Sequence, residues 1–70
     1  MDGHEFYRKV RRLGKQRGID VTFEPRHGKG SHGRLYYGDH FTTLKDRRKE
    51  IGPGLYRQMC IQLGIDPSDL

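Results

Sequence analysis

The chain is poor in the features that staple small secreted proteins or carry proteins into membranes. Its single cysteine, Cys60, cannot form an internal disulfide, which argues against a disulfide-framed secreted fold. Met1 to Lys9 has no apolar core of a signal peptide, and no later stretch approaches the ~18 apolar residues of a membrane helix. The chain has 70 residues, room for one domain over 1–70, and a domain this short buries only about 60% of the surface its unfolded chain exposes. A core of that size supplies ~3–5 kcal/mol at best, and disulfides, metals or partners usually make up the difference. With no disulfide available, the expectation is a soluble cytoplasmic protein that draws extra stability from a partner protein.

Several chemical motifs are missing too. His4, His27, His32, His40 and Cys60 are the right residue types for metal ligation. Yet no Cys-x-x-Cys or His-x-x-x-His spacing occurs, so no native metal site is expected. No Ser-His-Asp or Cys-His arrangement can be argued. The Gly28–Gly30 stretch is not followed by the Gly-Lys-Ser/Thr that opens a helix in a phosphate-binding loop.

Positive charge is what the chain has in excess. Fourteen Lys and Arg stand against nine Asp and Glu, for a formal net charge of +5 and a pI near 9.7. Six of the cations (Arg8, Lys9, Arg11, Arg12, Lys15, Arg17) fall in ten residues that hold no acid. Four more, Lys45, Arg47, Arg48 and Lys49, are interrupted only by Asp46. Such runs are the footprint of a phosphate-binding surface, although a solvated basic face has the same composition.

The pattern of apolar residues reads as α-β-β-β-α. Asp2 followed by Glu5 resembles a capping box, Phe6, Val10 and Leu13 recur on one helical face, and Gly18 suits the left-handed end of the helix. Arg8, Arg11, Arg12 and Lys15 centre on the opposite side of that helix. Ile19, Val21 and Phe23 alternate with polar residues as in a half-buried strand that Pro25 stops. Arg26 to Gly30 reads as a flexible basic loop. Ser31–Tyr37 and His40–Leu44 are two further strands, joined at Gly38-Asp39 by a two-residue turn with glycine first, as a type II′ turn requires.

That turn sets a register: Tyr37 opposite His40, Tyr36 opposite Phe41, Leu35 opposite Thr42, Arg34 opposite Thr43. Gly33, Leu35, Tyr37 and Leu44 then share the face suited to packing against helices. His32, Arg34, Tyr36, Phe41 and Thr43 share the other. After a charged connection, Gly52-Pro53 opens a second helix with proline at its first position. Its expected apolar stripe is Leu55, Met59, Cys60 and Leu63, with Gly64 ending it and Ile65 making the apolar contact that often follows such a cap. The tail from Asp66 to Leu70 reads as loose or partner-dependent. The expected fold is therefore a small α+β domain, a three-stranded antiparallel sheet with two helices on one face and the other face open.

Metal-free cleavage of RNA needs a base of pKa near 7 to activate the ribose 2′-OH, plus donors for the phosphate. Histidine is the side chain whose unperturbed pKa lies there. Among the four histidines, His32 sits at a loop–strand junction after Lys29-Gly30-Ser31 and shares its expected face with Arg34. The competing reading is an exposed strand histidine without a role. Tyr36 and Phe41 have the character of base-stacking aromatics on an open sheet, or of a cross-strand pair that only stabilises the hairpin.

Lys29-Gly30-Ser31-His32 at the start of a strand, Lys49-Glu50-Ile51-Gly52 and Gln62-Leu63-Gly64-Ile65 together resemble the HicA (YcfA-like) toxin family of type II toxin–antitoxin systems. The resemblance covers nearly the whole chain, including its length and element order. It implies a fold like that of double-stranded-RNA-binding domains, ribosome-independent cleavage of mRNA, His32 as catalytic residue, and neutralisation by a HicB-type antitoxin. On that reading Lys29 and Arg34 contact the phosphate, Gly30 and Ser31 support the motif, and Arg8, Arg11, Arg12 and Lys15 attract RNA at longer range. No cofactor, metal or membrane is implied. Two features depart from the family pattern. Gly18 to Gly30 is longer than usual, and the residue after the motif histidine, often histidine or aromatic, is Gly33, which suggests thin packing beneath His32. The alternative is a non-catalytic RNA-binding module of the same fold. Modules of that kind carry a lysine cluster at the start of the last helix, where this chain has Gly54-Leu55-Tyr56-Arg57-Gln58. A third possibility is an interaction module whose basic surface meets an acidic protein.

Overall fold

A computed structural model of the chain describes residues 1–26 and 32–70. The elements are α1 (Gly3–Arg17), β1 (Val21–Pro25), β2 (Gly33–Tyr37), β3 (His40–Leu44), α2 (Pro53–Leu63) and a 3-10 turn at Pro67–Asp69. The strands form one antiparallel sheet in the order β1-β2-β3. α1 packs on β1 and β2, and α2 on β3. Both helices cover the same face, giving the α-β-β-β-α architecture that the sequence pattern predicts. Among the described residues no helix is long and apolar enough to cross a membrane.

Local chemistry accounts for the helix ends and the β2–β3 turn. The Asp2 carboxylate accepts the Glu5 backbone N–H at 2.9 Å and caps α1, satisfying one of the donors a helix start leaves open. Phe6, Val10 and Leu13 point inward, and Gly18, with φ 68°, closes the last turn. In the β2–β3 hairpin Gly38 has φ 61° and Asp39 does not enter positive φ. This is the φ pattern of a turn that needs glycine first. The resulting register is Arg34–Thr43, Leu35–Thr42, Tyr36–Phe41 and Tyr37–His40, as the turn chemistry predicts. α2 begins at Pro53 and ends against Gly64.

The core lies between the sheet and the helices. Phe6, Val10 and Leu13 of α1 meet Leu35, Tyr37 and Leu44 of the sheet and Met59, Cys60 and Leu63 of α2, with Ile65 closing the edge. Tyr56 sets its ring edge-on to Phe6, 6.0 Å between centroids. Thr42 is the buried polar side chain of this face, and its hydroxyl donates to Gln62 Oε1 at 2.6 Å. Pairing it removes most of the cost of burying a hydroxyl.

Four details differ from the sequence reading. Pro25, expected to stop the first strand, is paired within it opposite Gly33. Leu55 is not part of the buried stripe but 52% exposed. The first turn of α2 stands off the sheet, leaving a cleft of ≈160 Å³ beside Leu44, Ile51, Leu55 and Met59. The tail is docked, not loose: the Tyr56 hydroxyl donates to the Pro67 carbonyl at 2.6 Å. Arg17 pairs with Asp69 at 2.8 Å, and Leu70 packs against the core. Nor is the packing beside His32 thin. An ideal Cβ on Gly33 would lie 2.5 Å from the Phe23 ring and 2.5 Å from the Glu24 carbonyl oxygen. Phe23 from β1 thus fills the space that a side chain at position 33 would occupy, and Tyr7 packs on Phe23 from α1, 5.8 Å between ring centroids.

This contact predicts opposite effects for two glycine substitutions. Gly33→Ala forces Phe23 or the strand pairing to move and should lower stability by about 1–3 kcal/mol. Gly54→Ala adds a Cβ that meets nothing within 4 Å and should raise stability by about 0.5–1 kcal/mol. Thermal melts of the two variants check the pair. An unchanged melting temperature for Gly33→Ala would refute the close packing of Phe23.

Candidate functional site

His32 stands immediately before β2, half-buried, with its backbone carbonyl accepting the Arg26 N–H at 2.8 Å. This bond extends the β1–β2 ladder one step past Pro25–Gly33 and anchors the backbone that carries the imidazole. Strand alternation places His32, Arg34 and Tyr36 on the face that no helix covers. Glu24 lies opposite Arg34 on one side and Thr43 on the other.

These side chains border an open depression of ≈530 Å³. Its cations are Arg26, Arg34 and Lys45, and its wall includes Glu24, Phe41 and Thr43 around His32. Among the described residues, no ion pair within 4 Å joins any of the three cations to a carboxylate. Arg34 is held in place by a ring instead, its guanidinium carbon 4.7 Å from the Phe41 centroid. The arrangement is a shallow cationic bowl with one imidazole at its edge. It can bind an anion and move a proton beside it.

The structure gathers only part of the expected site. His32 and Arg34 line the same depression. Arg8, Arg11, Arg12 and Lys15 form their own exposed patch on the outer side of α1. That patch belongs to the helical layer, across the core from the open sheet face. Lys29, Gly30 and Ser31, with His27 and Gly28 of the basic loop, lie outside the described residues. The second basic run also separates: Arg48 pairs with Asp46 at 3.3 Å and Arg47 stacks on Phe23 at 4.7 Å, while Lys45 faces the depression.

Sequence reasoning missed Lys45, Arg26 and Glu24. Lys45 was within reach, because extending the hairpin register one step beyond Gly33–Leu44 sets it across from His32. Arg26 and Glu24 were not, since no tight turn joins β1 to β2 and their register is set by tertiary packing.

Other reactive groups lie elsewhere. Cys60 is fully buried, and burial pushes its thiol above the ordinary range, away from the reactive thiolate. Among the described residues no group of three or more His, Cys, Asp or Glu side chains is placed to share a metal ion. Comparison with protein-family models, with curated proteins and with solved structures finds no match to this chain. The fold and the depression are therefore the ground on which a function can be argued.

The burial of Cys60 carries its own test. In the folded protein a thiol reagent should modify Cys60 on the order of 10²-fold more slowly than in denaturant, because reaction must await an opening of the core. Equal rates in the two conditions would place the thiol at the surface.

Proposed function

We propose that this protein is a metal-independent endoribonuclease, the toxin of a toxin–antitoxin pair, that cleaves mRNA in the cytoplasm with His32 as its catalytic residue. One observation carries the reading: an imidazole stands among three cations that form no ion pair within the described chain, on the open face of an α-β-β-β-α domain. The resemblance of Lys29-Gly30-Ser31-His32 and the two later segments to HicA toxins adds the expected partner, a HicB-type antitoxin.

In this mechanism His32 takes the proton from a ribose 2′-OH, and the 2′ oxygen attacks its own 3′ phosphorus. The bond to the 5′ oxygen breaks, leaving a 2′,3′-cyclic phosphate and a 5′-hydroxyl. Arg34, Arg26 and Lys45 offset the negative charge that builds on the phosphoryl oxygens, which fixed donors do at little reorganisation cost. The departing oxygen takes its proton from water or from a lysine, and Lys45 borders the same depression. Arg8, Arg11, Arg12 and Lys15 attract the polyanion at longer range from the opposite layer, a sequence-independent, salt-sensitive contribution. The non-catalytic alternative fits less well. The first turns of α2 carry only Arg57 as a cation, and the cationic depression lies on the sheet face with a histidine in its lining instead.

His32→Ala is the direct test. It should reduce RNA cleavage by ~10² or more, the usual worth of a general base. Stability should change little, within about 0.5 kcal/mol, as for most exposed-face substitutions. His40→Ala, at the exposed start of β3, is the control and should cleave normally. Normal cleavage by His32→Ala would end the assignment.

The cation requirement is a separate question. Cleavage should persist in excess EDTA under monovalent salt, with the substrate an unstructured oligonucleotide. Loss on chelation with recovery on adding a divalent ion would overturn the metal-free mechanism.

A further inference from the structure

The proposed reaction uses His32 and the cations of the depression but leaves the aromatic residues of the open face unexplained. Tyr36 and Phe41 meet across β2 and β3, 5.7 Å between centroids and tilted by 43°. Phe41 remains 44% exposed while Arg34 lies over its ring and its edge borders the His32 depression. Among the described residues three large apolar side chains are left exposed, Phe41, Leu55 and Ile61, and Phe41 is the aromatic one and borders the cationic depression.

Sheet geometry orders these groups into a track. Along β2 and the residue before it the open-face residues are His32, Arg34 and Tyr36, each two residues and so about 7 Å apart. Thr43 lies beside Arg34 and Phe41 beside Tyr36. The chain thus presents a proton acceptor, then a cation, then a ring pair about 14 Å from the first. That sequence of groups matches a single polynucleotide strand, whose phosphates want cations and whose unpaired bases have free faces.

We propose that Phe41, flanked by Tyr36 and topped by Arg34, is a stacking platform for one unpaired base of the RNA, one or two nucleotides from the bond that lies at His32. This rests on the ribonuclease reading above. Arg34 covers the ring in the free protein; when a base takes that place, Arg34 turns its charge to a neighbouring phosphate. A duplex keeps its base faces stacked within itself and offers this surface only phosphates. The platform therefore selects single-stranded RNA and positions the cut by where a base can stack, with little preference among the four bases.

The experiment measures binding of short fluorescent RNA to His32→Ala protein, so that the probe stays intact. Adding Phe41→Leu should weaken binding of a single-stranded 12-mer by about 10-fold, in the range of losing one base–aromatic stack. Phe41→Tyr should restore it, and affinity for a duplex of the same sequence should be unchanged. In the cleaving protein, a 12-mer with one abasic site stepped along it should lose cleavage most strongly at one fixed distance from the cut, and with Phe41→Leu that dependence should flatten. If Phe41→Leu lowers the melting temperature but leaves single-strand affinity and the abasic profile as they were, the ring pair only stabilises the hairpin and the platform is wrong. If single-strand and duplex affinities fall together, the ring is not reading unpaired bases. If the unsubstituted protein neither binds nor cleaves single-stranded RNA, the ribonuclease reading fails first and takes the platform with it.

Discussion

The β2–β3 hairpin governs everything else in this structure. Gly38 enters a backbone region that side chains resist, and the two-residue turn it allows leaves one register open to the flanking strands. That register turns Leu35, Tyr37, Thr42 and Leu44 toward the helices and His32, Arg34, Tyr36, Phe41 and Thr43 away from them. A slip of one residue would turn one strand over relative to the other, and if β2 turned, Leu35 would be exposed and Arg34 driven into the core. The stability of the fold and the chemistry of the open face thus depend on the same pairing.

A chain this short can build only one core, and both helices are committed to it. Phe6, Val10 and Leu13 on one side and Met59, Cys60 and Leu63 on the other close over a single sheet face. The tail adds to this layer through Tyr56 and Arg17 instead of hanging free. None of the described elements covers the second face, and antiparallel sheets tolerate that solvation. The uncovered face is where long polar side chains can stand close without desolvation, and there the cations, the histidine and the exposed aromatics collect. Phe23 links the two faces physically, since its ring occupies the inward space beside Gly33 and so fixes the strand just after His32.

The basic residues divide into two surfaces with different character. On α1 they are long side chains on a helix exterior, presented as a diffuse field. Around His32 they converge from three separate strand ends on one depression. Under the proposed function only the second arrangement acts on a particular bond, because direction matters there as well as charge, and the first draws in the polyanion through its net positive field without orienting it.

Where local chemistry decides, the sequence alone was enough. Asp2, Gly18, Gly38, Pro53 and Gly64 mark element ends through capping, turn geometry and missing donors, and period 3.6 or 2 gives the inward faces. From these come the architecture, the hairpin register and the shared facing of His32 and Arg34. Leu55 followed the helical period yet stays half uncovered, because periodicity gives direction and not how closely a helix end approaches the sheet. The β1–β2 register lay beyond local chemistry as well, since no tight turn links those strands, and with it the approach of Arg26 and Glu24 to His32. Phe23 beside Gly33 and Asp69 on Arg17 join residues far apart in the chain. Such contacts follow from how the layers pack, which short-range spacing cannot specify, so the sequence determined which side chains face outward and the tertiary structure decided which of them meet.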